Sequence, residues 1–173
     1  MLSTVVFCEE DSDRRARDLL ENLVRTLGSL VSANVEGLLG DVAIAGPAGE
    51  GLGAIADHAG CALIEAPGEA DWLRQAIEAA RGPDLLLLRS GRAPESGFIE
   101  EAGDFLLGGG GRAAGLRAAP ETLAERLFPG LAPVAGLIAP RASCLRAPSS
   151  RFRRLVHFIR PAVTLRTRAR RIG

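Results

Sequence analysis

Glu9, Glu10, Asp11, Gly46, Glu50, Arg89 and Arg92 are the residues of this 173-residue chain placed to meet a ligand, because each follows closely on a short apolar run. Arginine presents a planar fork that fits phosphate oxygens, so Arg89 and Arg92 can clamp a phosphate or stand as solvated loop residues. The acids have a second reading. Glu9 to Asp11 and Glu50 stand where helices should begin, and a carboxylate favours the positive end of a helix dipole. No catalytic residue can be assigned. His58 and His157 have no partner at a telling spacing, and Glu121 and Glu125, the last acids of the chain, have the spacing of a solvated helix surface. There is no Ser-His-Asp or Cys-His arrangement, and the run Gly108 to Arg112 lacks the lysine and hydroxyl of a phosphate loop. Cys8, Cys61 and Cys144 lie too far apart for a zinc site or a disulfide framework and read as small core residues.

Four apolar runs must hold these residues. Ser3 to Cys8, Asp41 to Ala45, Cys61 to Glu65 and Asp84 to Leu88 are short and apolar, and each alternates with a helical pattern. Helices are expected from Ala16 to Leu27, with Leu19, Leu20, Leu23, Val24 and Leu27 inward, over 50–59, and over 69–81, with Trp72, Leu73, Ala76, Ile77 and Ala80 on one face. Such alternation predicts an α/β fold with a single, largely parallel sheet flanked by helices. Ligands bind such sheets outside the carboxyl ends of the strands, which here are Glu9 to Asp11, Ala45 to Glu50, Glu65 to Gly68 and Leu88 to Arg92. Beyond Arg92 the spacing predicts helices over 95–107 and 119–127, and a strand or buried segment over 131–139.

With 47% apolar and 24% charged residues the chain can bury a core, and no run reaches the ~20 apolar residues that a membrane-spanning helix needs. A soluble body on the cytoplasmic side is expected. All 21 basic residues are arginine, and their distribution is uneven. Residues 1–110 hold 19 acids and 8 arginines, a net of −11, whereas 111–173 hold 2 acids and 13 arginines, a net of +11. This asymmetry points to phosphates, of a membrane, a nucleic acid or a nucleotide sugar, or to pairing of tail with body. Nucleic acid fits least well, since the chain has no tyrosine and no aromatic platform interleaved with basic residues.

The charge concentrates in a basic C-terminal extension, residues 142–173, beyond a body of residues 1–141. Within it Ser149 to Arg160 reads as an amphipathic helix ended by Pro161, with Phe152, Leu155, Val156 and Ile159 on one face. Arg151, Phe152, Arg153, Arg154, Leu155, Ile159 and Arg160 are the candidate contacts to an anionic membrane or a partner. The same apolar face could instead pack on the acidic body.

The stretch VAIAGPAGEGLGAIADHAG, followed by WLRQAIEAARGPDLLLL and RSGRAPESGFIEE, resembles the nucleotide-binding half of glycosyltransferase family 2 over about residues 3–100 and 131–141. That family's GT-A fold is a Rossmann-like single sheet. Its second strand ends in a motif like D-G-G-S-x-D-G-T, of which Glu50 matches the second acid and Ala45 replaces the first. The resemblance implies that Glu9, Glu10 and Asp11 face a nucleotide base or ribose, and that the loop after the fourth strand faces the diphosphate. There the family carries a D-x-D motif, whose carboxylates hold a divalent cation that bridges the phosphates. Leu88 to Ala93 contains no acid, so no divalent metal or other cofactor is expected, and Arg89 or Arg92 is the substitute clamp. The implied protein handles a nucleotide sugar at the cytoplasmic membrane face as a glycosyltransferase, or keeps that fold as a noncatalytic binding module anchored by its tail.

Overall fold

A computed structural model describes residues 1–9, 16–108 and 111–172. Its eight strands are β1 (Leu2–Phe7), β2 (Leu39–Pro47), β3 (Ala62–Ala66), β4 (Asp84–Arg89), β5 (Arg92–Pro94), β6 (Ala114–Ala118), β7 (Val134–Pro140) and β8 (Val163–Arg171). The helices are α1 (Ala16–Ser29), α2 (Val31–Val35), α3 (Leu52–Ala59), α4 (Glu69–Ala79), α5 (Phe98–Gly108), α6 (Leu123–Leu127), α7 (Arg141–Leu145) and α8 (Phe152–Ile159). All eight strands form one sheet in the order β3-β2-β1-β4-β7-β6-β8-β5.

The four expected strands are neighbours and run parallel. β1 is buried at every residue, its polar Ser3 and Thr4 included, which is why its run does not alternate apolar with charged residues. Past β4 the sheet becomes mixed. β7 lies antiparallel to β4 and β6 antiparallel to β7, while β8 is parallel to β6 and antiparallel to β5.

Successive strand residues point to opposite faces, so two cores form. Leu2, Val6, Ile44, Leu86 and Leu88 pack with Leu23 of α1, Leu52 of α3 and Phe98 of α5. Val5, Phe7, Leu85 and Leu87 pack with Trp72, Leu73 and Ile77 of α4, Cys144 of α7, and Phe152 and Leu155 of α8. The expected inner face of α1 is shifted, because Leu19, Leu23 and Thr26 are buried while Val24 is 53% exposed.

Helix α8 and strand β8 of the basic C-terminal region pack into the domain. Phe152 and Leu155 are buried in the second core, and residues 163–171 form an interior strand of the sheet. The physical reason is area. Burying a Phe or Leu side chain contributes about 1.5–3 kcal/mol, and the α4 face of the sheet offers apolar partners that a solvated tail lacks. Phe152 and Leu155 are therefore not available for insertion into a membrane, and Ile159 is half-buried against the same core. Arg151, Arg153, Arg154 and Arg160 are exposed. The helix ends as its sequence dictates, with Arg160 in the left-handed region at φ 49° and Pro161 next.

Three carboxylates of the body hold this C-terminal part. Glu101 of α5 accepts the backbone N–H groups of Arg166 and Thr167 at 2.7 and 2.9 Å. Glu69 accepts the Phe152 N–H at 2.7 Å, and Glu121 pairs with Arg171 at 3.5 Å.

Candidate functional site

The turn between β4 and β5 is the centre of the candidate site, and its shape follows from four residues. Arg89 closes β4, Ser90 donates its N–H to the Phe7 carbonyl at 2.8 Å, and Gly91 turns at φ 81° before Arg92 opens β5. A left-handed φ is rare for a residue with a Cβ, and a Cβ here would also meet Asn22 Cγ at 3.4 Å. The Gly91 N–H donates to Thr26 Oγ1 at 2.9 Å, which pins the turn to α1. β8 closes the other side, where the Ile172 N–H donates to the Gly91 carbonyl at 3.1 Å.

The two arginines of the turn diverge. Arg89 is no solvated loop residue: its side chain is only 12% exposed and it pairs with Glu9 at 2.6 Å. Its guanidinium carbon lies 5.0 Å from the centre of the Phe152 ring, and that ring stands 4.8 Å from the ring of Phe7. Its Nε is buried without a hydrogen-bond partner. Burial pulls the Arg89 guanidinium below its ordinary pKa, Glu9 opposes this, and Arg153 and Arg92 push down while Glu69 pushes up. Arg92 pairs with Glu121 at 2.6 Å. Between the turn and α1 opens a cleft of about 360 Å³, lined by Glu9, Asn22, Arg25, Ser90, Arg92 and Arg171 among others.

The residues singled out in the sequence are thus only partly united. Glu9 and Arg89 are in contact, and Glu9 and Arg92 line one cleft. Glu10 and Asp11 lie outside the described residues. Gly46 is buried packing, since a Cβ there would stand 2.7 Å from Leu52 Cδ1 and 3.0 Å from Cys8 Sγ. Glu50 is half-buried in the bend before α3 and does not cap it, because the N-cap is Gly51. Glu125 is a cap rather than a free surface acid. It closes a capping box with Thr122, and the N–H groups of Glu121 and Thr122 hold its carboxyl below the usual range.

Sequence reasoning missed Glu121, Arg171, Glu69 and the ring of Phe152 as members of this neighbourhood. No local signal marks Glu121, which lies 29 residues from the arginine it binds. The alternation Val163, Leu165, Ala169 was the available clue to β8 and hence to Arg171.

The sheet order and the helices on its two faces define a GT-A-like α/β fold, related to the Rossmann arrangement. Solved structures agree on that fold. Glucosyl-3-phosphoglycerate synthase from Mycobacterium tuberculosis, in complex with Mn²⁺, uridine diphosphate and phosphoglyceric acid, superposes with a TM-score of 0.59 at 17% identity, over 94% of this chain and 67% of that one. Mannosyl-3-phosphoglycerate synthase from Rubrobacter xylanophilus gives 0.55 at 15% identity, over 82% and 55%. The bifunctional IspDF from Campylobacter jejuni gives 0.62 at 12% identity, over 92% and 47%. In another complex of the mycobacterial synthase the matched part is 57% of the chain. No protein-family model and no curated protein matches the sequence.

The residues of the β4–β5 turn do not fit a manganese ion of the kind those complexes contain. Arg89-Ser90-Gly91-Arg92 supplies no carboxylate, and Glu9 is already engaged by Arg89. Among the described residues no group of three or more His, Cys, Asp or Glu could hold a metal ion. No described helix is long and apolar enough to cross a membrane.

Proposed function

We propose that this protein is glycosyltransferase-like and binds a nucleotide sugar over the carboxyl edge of β1 and β4, with arginine meeting the diphosphate where the resemblance would place a divalent cation. The observation that carries the reading is Arg89, a largely buried guanidinium at the end of β4 whose Nε is without a hydrogen-bond partner. A buried unpaired donor is uncommon and costs about 1–3 kcal/mol, so an anion at that position would be held by a group already desolvated. Cations aimed at the place where charge develops also favour departure of a nucleoside diphosphate. Gly46 supports the floor of this edge, and Glu9 releases or shares Arg89 as the ligand arrives.

The same reading places the protein against the anionic inner face of a membrane. Its contacts are the exposed Arg151, Arg154 and Arg160, with Phe158, 48% exposed, as the apolar element. Each basic group near such a surface contributes ~1 kcal/mol. A noncatalytic binding module of the same fold is the second reading, and one observation favours it. Glu121 is spanned by Arg92 and Arg171 and Glu125 is a helix cap, so neither is available as a general base.

Calorimetry with uridine and guanosine sugar nucleotides, with and without manganese, tests the first reading. Saturable binding that survives chelation and weakens in Arg89→Gln is the expected result, and no binding of any nucleotide overturns it. Release of nucleoside diphosphate from the bound sugar nucleotide separates an enzyme from a noncatalytic module.

A further inference from the structure

The last helix reaches the ligand edge of the sheet, although it is the part of the chain that sequence reasoning set apart. Three contacts join it there. The Phe152 ring lies 4.8 Å from that of Phe7, the last residue of β1, and 5.0 Å from the guanidinium carbon of Arg89. Glu69, in the first turn of α4, accepts the Phe152 N–H at 2.7 Å, and Leu155 of α8 is wholly buried. The start of α8 is therefore fixed to the carboxyl ends of β1 and β4 and to the start of α4.

Arg153 follows Phe152 directly and is exposed. It also borders a crevice of about 690 Å³ that includes Ser149, Arg154, His157 and Arg160 and no acid. The charge of Arg153 is felt at Arg89, after burial and Glu9 in order of effect. Arg89 and Arg92 flank the β4–β5 turn and Arg153 follows the ring that touches Arg89, while Glu9 pairs with Arg89 and Glu69 holds the Phe152 N–H.

We propose that α8 is part of the phosphate-binding site: Phe152 is a positioning residue that holds the Arg89 guanidinium flat, and Arg153 binds the same phosphate group from the other side. The ligand class is a phosphoanhydride, the diphosphate of a nucleotide. This assignment rests on the reading of the β4 edge given above and adds the C-terminal helix to it. A ring against the face of a guanidinium leaves its in-plane N–H groups to other partners, and on Arg89 a phosphate would share them with Glu9, which holds one at 2.6 Å. Arg153 contributes as a second, solvent-facing cation whose effect is screened by salt.

Titration of the full chain with inorganic pyrophosphate and with uridine diphosphate at low salt tests the assignment. Arg153→Gln should weaken both by about tenfold. Arg81→Gln, which removes an exposed arginine just before β4 at the opposite edge of the sheet, should change neither. Phe152→Leu keeps apolar volume, and folding is checked by thermal melting. Its loss of affinity should vanish when Arg89 is already Gln, because a positioning role acts only through that guanidinium, whereas a merely structural defect persists in both backgrounds. Equal effects of Arg153→Gln and Arg81→Gln, or a Phe152→Leu loss independent of Arg89, overturn the role of α8. If Arg89→Gln still weakens uridine diphosphate in that case, the β4 edge reading stands alone. Pyrophosphate binding without uridine diphosphate binding supports the arginines as a phosphate site and rejects the nucleotide, and binding of neither overturns both.

Discussion

Glu101 of α5 binds Thr167 of β8 twice through one carboxylate oxygen, accepting its backbone N–H at 2.9 Å and its hydroxyl at 2.8 Å. The other oxygen takes the Arg166 N–H at 2.7 Å. Burial pushes the Glu101 carboxyl up, but the two backbone N–H groups, the hydroxyl and the charge of Arg166 outweigh it and hold it below the usual carboxylate range. One acid thereby clips a strand that carries four arginines onto the body of the domain.

A pH dependence follows with a definite sign. Because the folded state lowers this pKa, its contribution is complete above the unfolded value of about 4.3 and is lost as pH falls through the lower folded value. Glu101→Gln should cost about 1 kcal/mol at neutral pH and lower Tm by about 2–4 °C. The gap between variant and wild type should close on acidification, which melting curves between neutral and strongly acidic pH would show. A gap that widens in acid contradicts the role given to Glu101.

Phe152 and Phe158 should separate stability from surface association. Phe152→Ser removes a ring that is 1% exposed and should destabilise the fold by about 3–5 kcal/mol. Phe158→Ser should leave stability within about 0.5 kcal/mol. If α8 presents its outer face to a membrane, Phe158→Ser and Arg154→Gln should reduce flotation with anionic vesicles, and raised salt should release the wild type. Flotation indifferent to lipid charge rejects the membrane contact.

Cysteine reactivity should follow burial. The Cys144 thiol is pushed up to about 12 by burial, and burial also raises Cys61, to which the structure leaves partial access. Only the thiolate is nucleophilic, so iodoacetamide at neutral pH should modify Cys61 slowly and Cys144 only after denaturation, as peptide mass spectrometry would reveal. Rapid labelling of native Cys144 would mean that α7 opens readily from the core.

Metal should not assist nucleotide binding at the β4–β5 turn, where no carboxylate is offered. Manganese is expected to leave the affinity for uridine diphosphate within about twofold, and an increase of about tenfold would show ligands that the turn itself does not supply.

The half of the fold built from β1 to β4 was legible because burial on both faces writes itself locally. Val5 to Phe7 and Leu85 to Leu88 are continuous apolar runs, and Trp72, Leu73, Ala76 and Ile77 keep the helical period. The lack of acids in the turn from Arg89 to Arg92 was equally legible, being a matter of residue identity. What sequence could not decide was every relationship across the sheet. Ala114 to Ala118 is too short and too poor in β-branched residues to announce a strand, and four arginines in β8 suggest solvent until Glu101 and the neighbouring strands are in place. Whether the apolar face of α8 would meet lipid or protein depended on the sheet face beneath it. Arg89 could be read from sequence as a clamp or a solvated loop residue, and only the tertiary structure surrounded it with Glu9 and Phe152, residues 80 positions before it and 63 after it. Local pattern determines which segments must be buried, whereas partners distant in the chain decide what buries them, and with it the charge and reach of each functional side chain.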